Sequence, residues 1–281
     1  MSNDIKFKKN DWALILGASS GFGGAAAREL SRCGMNIAGV HFDRAATMPQ
    51  AEAIKKDVED AGVQALFFNV NASDESKRNE VLDEIRKIFD KDEDANLKVL
   101  MHSLAFGTLR PFISKNAQDM MTQRQVDMTL DVMATSLIYW VQGAFSRGMM
   151  KKGGRVYAMT SSGGHSILPN YGAVSAAKAA LESIIRQLAM ELGPYGITAN
   201  SIMAGVTDTP ALRKIPGAEN MIRIATAKNP QMRTTTPEDV AKAIALLSHD
   251  NGYFISGNVI GVDGGEDVVS YVGQKNVLEL E

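Results

Sequence analysis

The segment WALILGASSGFGGAAAREL, residues 12–30, most limits what this chain can fold into. Trp12–Leu16 is a short apolar run of strand type. It breaks directly into Gly17, Gly21 and Gly23 and then into an alanine-rich stretch of helical type. Glycines after a strand allow a tight turn and let an anion approach backbone N–H groups at a helix N-terminus, where the helix dipole favours negative charge. The turn residues Gly17, Ser19, Ser20, Gly21, Phe22 and Gly23 are therefore the candidate cradle for a dinucleotide pyrophosphate. Their G-x-x-x-G-x-G spacing differs from the G-x-G-x-x-G dinucleotide form, so the order strand, turn, helix carries more weight than the glycines alone.

The rest of the chain continues the alternation. Strand-like runs fall at Trp12–Leu16, Asn36–His41, Gln64–Asn69, Leu97–Met101, Gly154–Thr160, Thr198–Ile202 and Val259–Val262. Helical patterns lie between them, at about 21–33, 48–61, 74–90, 117–148, 171–192 and 237–248. Alternation of this kind predicts an α/β fold: a Rossmann-type doubly wound parallel sheet of about seven strands with helices on both faces. The ligand is expected beyond the carboxyl ends of the strands. No Gly/Ser/Pro linker and no internal repeat divide the chain, so residues 1–281 are read as one dinucleotide-binding, catalytic domain. The acidic stretch 90–96 reads as a solvated loop. Residues 206–235 are irregular, with Pro210, Pro216, Gly217 and Pro230, and form a candidate substrate lid. Residues 266–281 read as a tail or an oligomer contact.

Bulk properties narrow the partners. At 281 residues, with 45% hydrophobic and 22% charged residues, the chain is long enough for a sizeable core and ordinary for a globular protein. A net charge of −2 gives no reason to expect nucleic acid or an anionic membrane as partner. Cys33, the single cysteine, is expected as a buried helix residue in a reducing compartment. The start, MSNDIKFKKND, lacks an apolar signal-peptide core, and no run of about 18 apolar residues is present. A cytoplasmic, soluble protein without a metal site is the expectation.

Cofactor choice rests on His41-Phe42-Asp43-Arg44, at the end of the second strand. Asp43 has the spacing of an acid that holds the adenine-ribose hydroxyls of NAD. Arg44, helped by His41, is placed to pair with the 2′-phosphate of NADP instead. His41 stands where an NAD-selecting acid is usual and is not acidic, which favours NADPH, with NADH as the alternative.

Tyr171 and Lys178 are seven residues apart in LPNYGAVSAAKAALE. At about 100° per residue that is nearly two helical turns, so both side chains face one cleft, roughly 10 Å apart along the axis. A phenol that donates a proton and an ammonium that holds a sugar hydroxyl point to hydride-transfer chemistry.

The ordered set Gly17-x-x-x-Gly21-x-Gly23, Ser161-Ser162, Tyr171 with Lys178, and Asn200…Ala204-Gly205…Thr209 resembles the short-chain dehydrogenase/reductase superfamily, over nearly the whole chain up to Val262-Asp263-Gly264-Gly265. Most of that superfamily carries Tyr-x-x-x-Lys, whereas here the residue four before Lys178 is Val174. The longer spacing looks like the enoyl-[acyl-carrier-protein] reductases, as does His102-Ser103-Leu104-Ala105 after the fourth strand. Met133 stands where many relatives place a relay Asn. Gly107-Thr-Leu-Arg-Pro111 and Asp208–Lys214 look most like the NADPH-dependent type III enzymes.

The resemblance implies a reaction: hydride from NAD(P)H to the β-carbon of a 2-enoyl thioester on acyl carrier protein or coenzyme A, in fatty acid synthesis, by a homotetramer. It implies Tyr171 as donor to the thioester oxygen and Lys178 on the nicotinamide-ribose hydroxyls, with the lysine charge lowering the phenol pKa. Ser161 either helps hold that oxygen or caps a loop. Asn69 and Val70 are expected to bracket the adenine. Ser103, Leu104 and Ala105 would line the cofactor pocket, with His102 in or behind it. Gly205 would belong to the cofactor site, the Val206 backbone would meet the carboxamide, and Thr209 the pyrophosphate. Met120, Met121, Met128 and Met133 read as adaptable core or subunit packing, or as an acyl-tunnel lining. The alternatives are a carbonyl or hydroxysteroid-type reductase, an enoyl- or dienoyl-CoA reductase, and a cofactor-binding sensor without catalysis.

Overall fold

The computed structural model describes residues 5–215 and 217–270. Seven parallel strands form one sheet: β1 (Asp11–Leu16), β2 (Asn36–His41), β3 (Ala65–Asn69), β4 (Asn96–His102), β5 (Arg155–Ser161), β6 (Thr198–Ala204) and β7 (Val259–Val262). Their order in the sheet is β3-β2-β1-β4-β5-β6-β7. Between them run α1 (Gly21–Arg32), α2 (Met48–Asp60), α3 (Glu75–Phe89), α4 (Gln123–Leu130), α5 (Ser136–Ser146), α6 (Gly172–Leu192), α7 (Ala218–Lys228) and α8 (Pro237–Ser248).

The strand period of two divides the core. On β1, Trp12, Leu14 and Leu16 face α3, α5 and α6, whose Leu82, Ile85, Leu137, Trp140, Leu181 and Ile185 complete one layer. Ala13 and Ile15 face the other way, onto Ala26, Ala27 and Leu30 of α1, Ile54 of α2 and Ile244 of α8. All six residues of β1 are buried, as a strand covered on both faces requires. The edge strand β7 alternates between exposed and half-buried positions.

The strand order turns back between β1 and β4. There Leu16 lies opposite His102 on one side and Val40 on the other, so the carboxyl ends of β1, β2 and β4 open a common crevice. The expected doubly wound sheet is present, and among the described residues no helix is long and apolar enough to cross a membrane.

Two expectations change. The helical pattern over 117–148 is not one helix: a 3-10 turn at Ala117–Asp119 precedes α4, and a π-helical turn at Asp131–Thr135 separates α4 from α5. Thr122 and Gln125 form a reciprocal capping box that starts α4 at Gln123. The Thr129 and Ser136 hydroxyls donate back to the carbonyls of Gln125 and Val132, at 2.7 and 3.0 Å, on either side of the π turn. The second change lies in 206–235, which contains α7; the prolines around it hid the helix in the sequence. Pro216, residues 1–4 and the tail beyond residue 270 lie outside the described residues.

Candidate active site

The glycine turn is fixed by close backbone approach. Gly17 has φ +92°, and a Cβ there would collide with the Ser103 carbonyl oxygen, while one at Gly23 would collide with the Gly17 carbonyl. The Gly17 and Ala18 amides bond the Val40 carbonyl, and the Ser103 amide bonds Leu16. Ser20 begins α1 without a side-chain cap, and no acid stands in the first turn, so the helix N-terminus suits an anion. Thr209 faces Gly21 across this mouth, its Cγ2 3.7 Å from where a Gly21 Cβ would stand. Leu104 lies against Gly17, so Ser103 and Leu104 wall the turn. Ala105 is exposed beyond them. The residues present fit a dinucleotide: a cradle only glycine can line, an open helix start, and a threonine opposite.

At the adenosine end the geometry departs from expectation. His41 is buried, its ring centroid 6.1 Å from that of Phe67, with Nδ1 2.9 Å from the Asp43 carboxylate. It is committed to Asp43 rather than free for a phosphate. Burial pushes the Asp43 carboxyl up, but the surrounding Ser19 and Thr47 hydroxyls and the His41 ring outweigh it and hold that group below the usual aspartate range. The Asn69 side chain accepts from the Asp43 amide at 2.9 Å and donates to its carbonyl at 3.0 Å. Asn69 thus clamps the Asp43 turn. The Val70 amide is bonded to the His41 carbonyl. Arg44 is exposed beside them.

At the chemical end Tyr171 is the residue that starts α6, and Lys178 lies inside that helix, buried. Lys178 Nζ donates to the Met159 carbonyl at 2.6 Å. Burial lowers its pKa to about 8, against a raising effect of Glu182. The Tyr171 ring lies over Gly163: a Cβ there would stand 2.5 Å from Tyr171 Cε1 and 3.2 Å from Ser161 Oγ. Ser161 Oγ is buried and has no well-aligned partner among the described residues, yet it sits near enough to the phenol to affect it. Burial raises the Tyr171 pKa and the Ser161 hydroxyl partly offsets this. The expected lowering by Lys178 is absent, because two helical turns separate the groups and desolvation of the phenol dominates.

Val174 is packed in the core, within reach of Gly107 at the α4–α6 junction, where Met133 also lies. His102 Nε2 is 2.9 Å from Ser136 Oγ, while its Nδ1 is buried with no partner among the described residues. Burial, and then the charge of Lys178, bring the His102 pKa to about 3, so the ring is neutral.

Around β6, the Val206 amide donates to the Glu266 carboxylate at 3.2 and 3.3 Å. The amide that the sequence reading gives to the carboxamide is therefore engaged by a carboxylate, which burial pushes above the usual glutamate range. Gly205 lies tightly between Thr235 and Glu266. Sequence reasoning missed Glu266, Gly163 and Glu182. Glu182 alone carried a signal, standing four after Lys178 on the same helix face.

The family model described as Enoyl-(Acyl carrier protein) reductase matches residues 17–266. An enoyl-[acyl-carrier-protein] reductase [NADH] FabI of Synechocystis sp. is 31% identical over 211 residues, covering 75% of this chain and 72% of that protein. A cyclohexanol dehydrogenase of Rhodococcus sp. is 29% identical over 264 residues, 90% of this chain and 94% of that protein. The crystal structure of FabI from Candidatus Liberibacter asiaticus superimposes with a TM-score of 0.81 over 96% of this chain and 99% of that one, at 24% identity, a likeness of fold. With its seven-stranded sheet, its glycine cradle, its tyrosine at the N-terminus of α6 and its lysine within that helix, the chain belongs to the enoyl-(acyl carrier protein) reductase family of the short-chain dehydrogenase/reductase superfamily.

Proposed function

We propose that this oxidoreductase reduces 2-enoyl thioesters. The observation that carries the reading is the pair of positions 171 and 174: the buried side chain four before Lys178 is a valine, and the phenol stands nearly one turn further out, over Gly163 and beside Ser161. A reduced nicotinamide cofactor, with Gly17–Gly23 and Thr209 on its pyrophosphate, would supply hydride to the β-carbon. Charge then gathers on the thioester oxygen, two carbons from that carbon. In a carbonyl reductase the accepting carbon bears the oxygen itself. A donor displaced outward suits the longer separation, and stabilising the enolate more than the substrate is what accelerates the step.

In this reading Tyr171 donates a hydrogen bond to the developing enolate oxygen, and the raised phenol pKa keeps it protonated for the task. Ser161 Oγ, without a well-aligned partner among the described residues, adds a second contact to the phenol or the oxygen. Lys178 holds the nicotinamide-ribose hydroxyls, with Gly17–Gly23 and Thr209 on the pyrophosphate. The ionised Asp43 supports NADH over NADPH, the reverse of the balance drawn from the sequence, because a carboxylate bonds ribose hydroxyls and repels a 2′-phosphate. The segment 206–235 with α7 serves as lid within a single catalytic domain, and the working form is a cytoplasmic homotetramer acting on acyl-carrier or coenzyme A thioesters. Mixing the purified protein with NADH or NADPH and a crotonyl thioester, against a simple ketone, tests the reading. Oxidation of the cofactor by the thioester alone supports it; oxidation by the ketone alone overturns it in favour of a carbonyl reductase.

A further inference from the structure

Lys178 has an anionic neighbour that the reaction scheme leaves unused. The ammonium is buried, and its hydrogen bond within the protein goes to a neutral group, the Met159 carbonyl. A buried charge without a counter-charge is costly. One turn further along α6, Glu182 is half-buried and accepts a 2.6 Å hydrogen bond from the Thr160 hydroxyl. Consecutive residues of β5 thus grip both side chains: Met159 holds the lysine through its carbonyl and Thr160 holds the glutamate through its hydroxyl. Gly164 closes over the two, since a Cβ there would lie 3.2 Å from Glu182 Oε1 and 3.5 Å from Lys178 Cβ.

We propose that Glu182 is a positioning residue, whose carboxylate, aimed by Thr160, supplies the counter-charge that keeps the buried Lys178 ammonium charged and fixed against β5. The proposal rests on the reading of Lys178 as the group that holds the cofactor ribose. The other groups facing Lys178 do not supply that charge. Among the described residues, the His102 ring on β4 is neutral, the Met159 carbonyl that meets the ammonium carries no net charge, and Tyr171, two turns away at the N-terminus of α6, is a protonated phenol. Burial draws the lysine pKa down to about 8 and Glu182 opposes it, so the lysine titrates close to working pH and its charge depends on this neighbour.

The test is cofactor affinity against pH, read by quenching of protein fluorescence without any enoyl substrate, so that it does not depend on which substrate is reduced. Wild-type affinity is expected to fall with a midpoint near the lysine pKa of about 8. Glu182→Gln keeps the acceptor for Thr160 and removes the charge. Its midpoint should move down by about half a pH unit or more, so that the cofactor binds about threefold more weakly than to wild type above pH 8.5 and equally below about pH 6.5. Glu182→Asp, which restores the charge, should return the midpoint toward wild type. Thr160→Val keeps the charge but frees its aim and should give a smaller shift in the same direction, and it carries the test should the glutamine variant not fold. Profiles of Glu182→Gln and Thr160→Val that superimpose on a wild-type profile with a clear midpoint overturn the proposal and leave the lysine reading intact. A wild-type affinity that does not change between about pH 6 and about pH 9.5 overturns the lysine reading itself, and the proposal with it.

Discussion

The Tyr171 ring rests on Gly163, so closely that a single added methyl would stand 2.5 Å from Cε1. Ser161, the last residue of β5, meets the same side of that glycine, its Oγ 3.2 Å from where the added methyl would stand. The backbone turn after β5 therefore sets where the phenol points, and Tyr171 projects from the residue that begins α6 rather than from its interior.

Tyr171→Phe is expected to lower turnover on an enoyl thioester by about two to three decades, the scale of losing one preorganised donor, with cofactor affinity nearly unchanged. Gly163→Ala should lower kcat without unfolding the protein, because it displaces the ring and leaves the cofactor cradle intact. Steady-state kinetics with a fluorescence titration of cofactor check both. Full activity in Tyr171→Phe together with none in Ser161→Ala would move the donor to the serine.

Cofactor choice is expected to turn on Asp43. Wild-type protein should bind NADH more tightly than NADPH. Asp43→Asn should narrow or invert that preference by about tenfold, since one charge–phosphate repulsion is removed and the hydrogen bonds to His41 and Ser19 have replacements. Arg44→Ala should weaken what NADPH binding there is and leave NADH unchanged. A wild-type preference for NADPH that Arg44→Ala abolishes would return the selection to the arginine.

His102 makes the fold acid-sensitive. Its pKa is about 3 in the folded protein against an ordinary 6.5, because burial and then the Lys178 charge disfavour protonation. Between those values the unfolded chain binds the extra proton and the folded one does not, so stability rises with pH across the window and is lost as pH falls through it. At pH 5 the loss from this one group is about 2 kcal/mol. Chemical denaturation of wild type and His102→Gln at pH 5 and pH 7.5 measures it, and the variant should show the smaller difference.

Association with an acidic carrier protein is expected to depend on the segment after Gly205. Arg213 is not a free charge there, since it forms a two-bond ion pair with Asp208. Lys214 and Arg223 are the exposed cations that remain for docking, the latter bonded to Asn220. kcat/KM for a carrier-linked substrate should fall more steeply with salt than for a short thioester, and Lys214→Glu should lower the former selectively. Equal losses on both substrates would mean that the segment packs or gates without docking the carrier.

The sheet, its crossover helices and the glycine turn were legible because period and turn chemistry are local properties of the chain. Each strand run was found to within a few residues, from Asp11–Leu16 to Val259–Val262. The π turn at Asp131–Thr135 was not legible, since it depends on where the Thr129 and Ser136 hydroxyls bond back to the chain. α7 was hidden by its flanking prolines. In the site, the tyrosine–lysine spacing could be read directly. The commitment of His41 to Asp43, of Asn69 to the same turn and of the Val206 amide to Glu266 could not, because each pairs side chains from segments whose contact only the tertiary fold creates.

The most direct test follows the hydride. The protein is incubated with a crotonyl thioester and NADH carrying deuterium at C4, and the thioester product is analysed by mass spectrometry and NMR. Reduction of a 2-enoyl thioester predicts a saturated butyryl thioester with one deuterium on the β-carbon, and almost none from Tyr171→Phe. Unchanged crotonyl thioester, alongside deuterium placed on the carbinol carbon of an added ketone, would contradict the account.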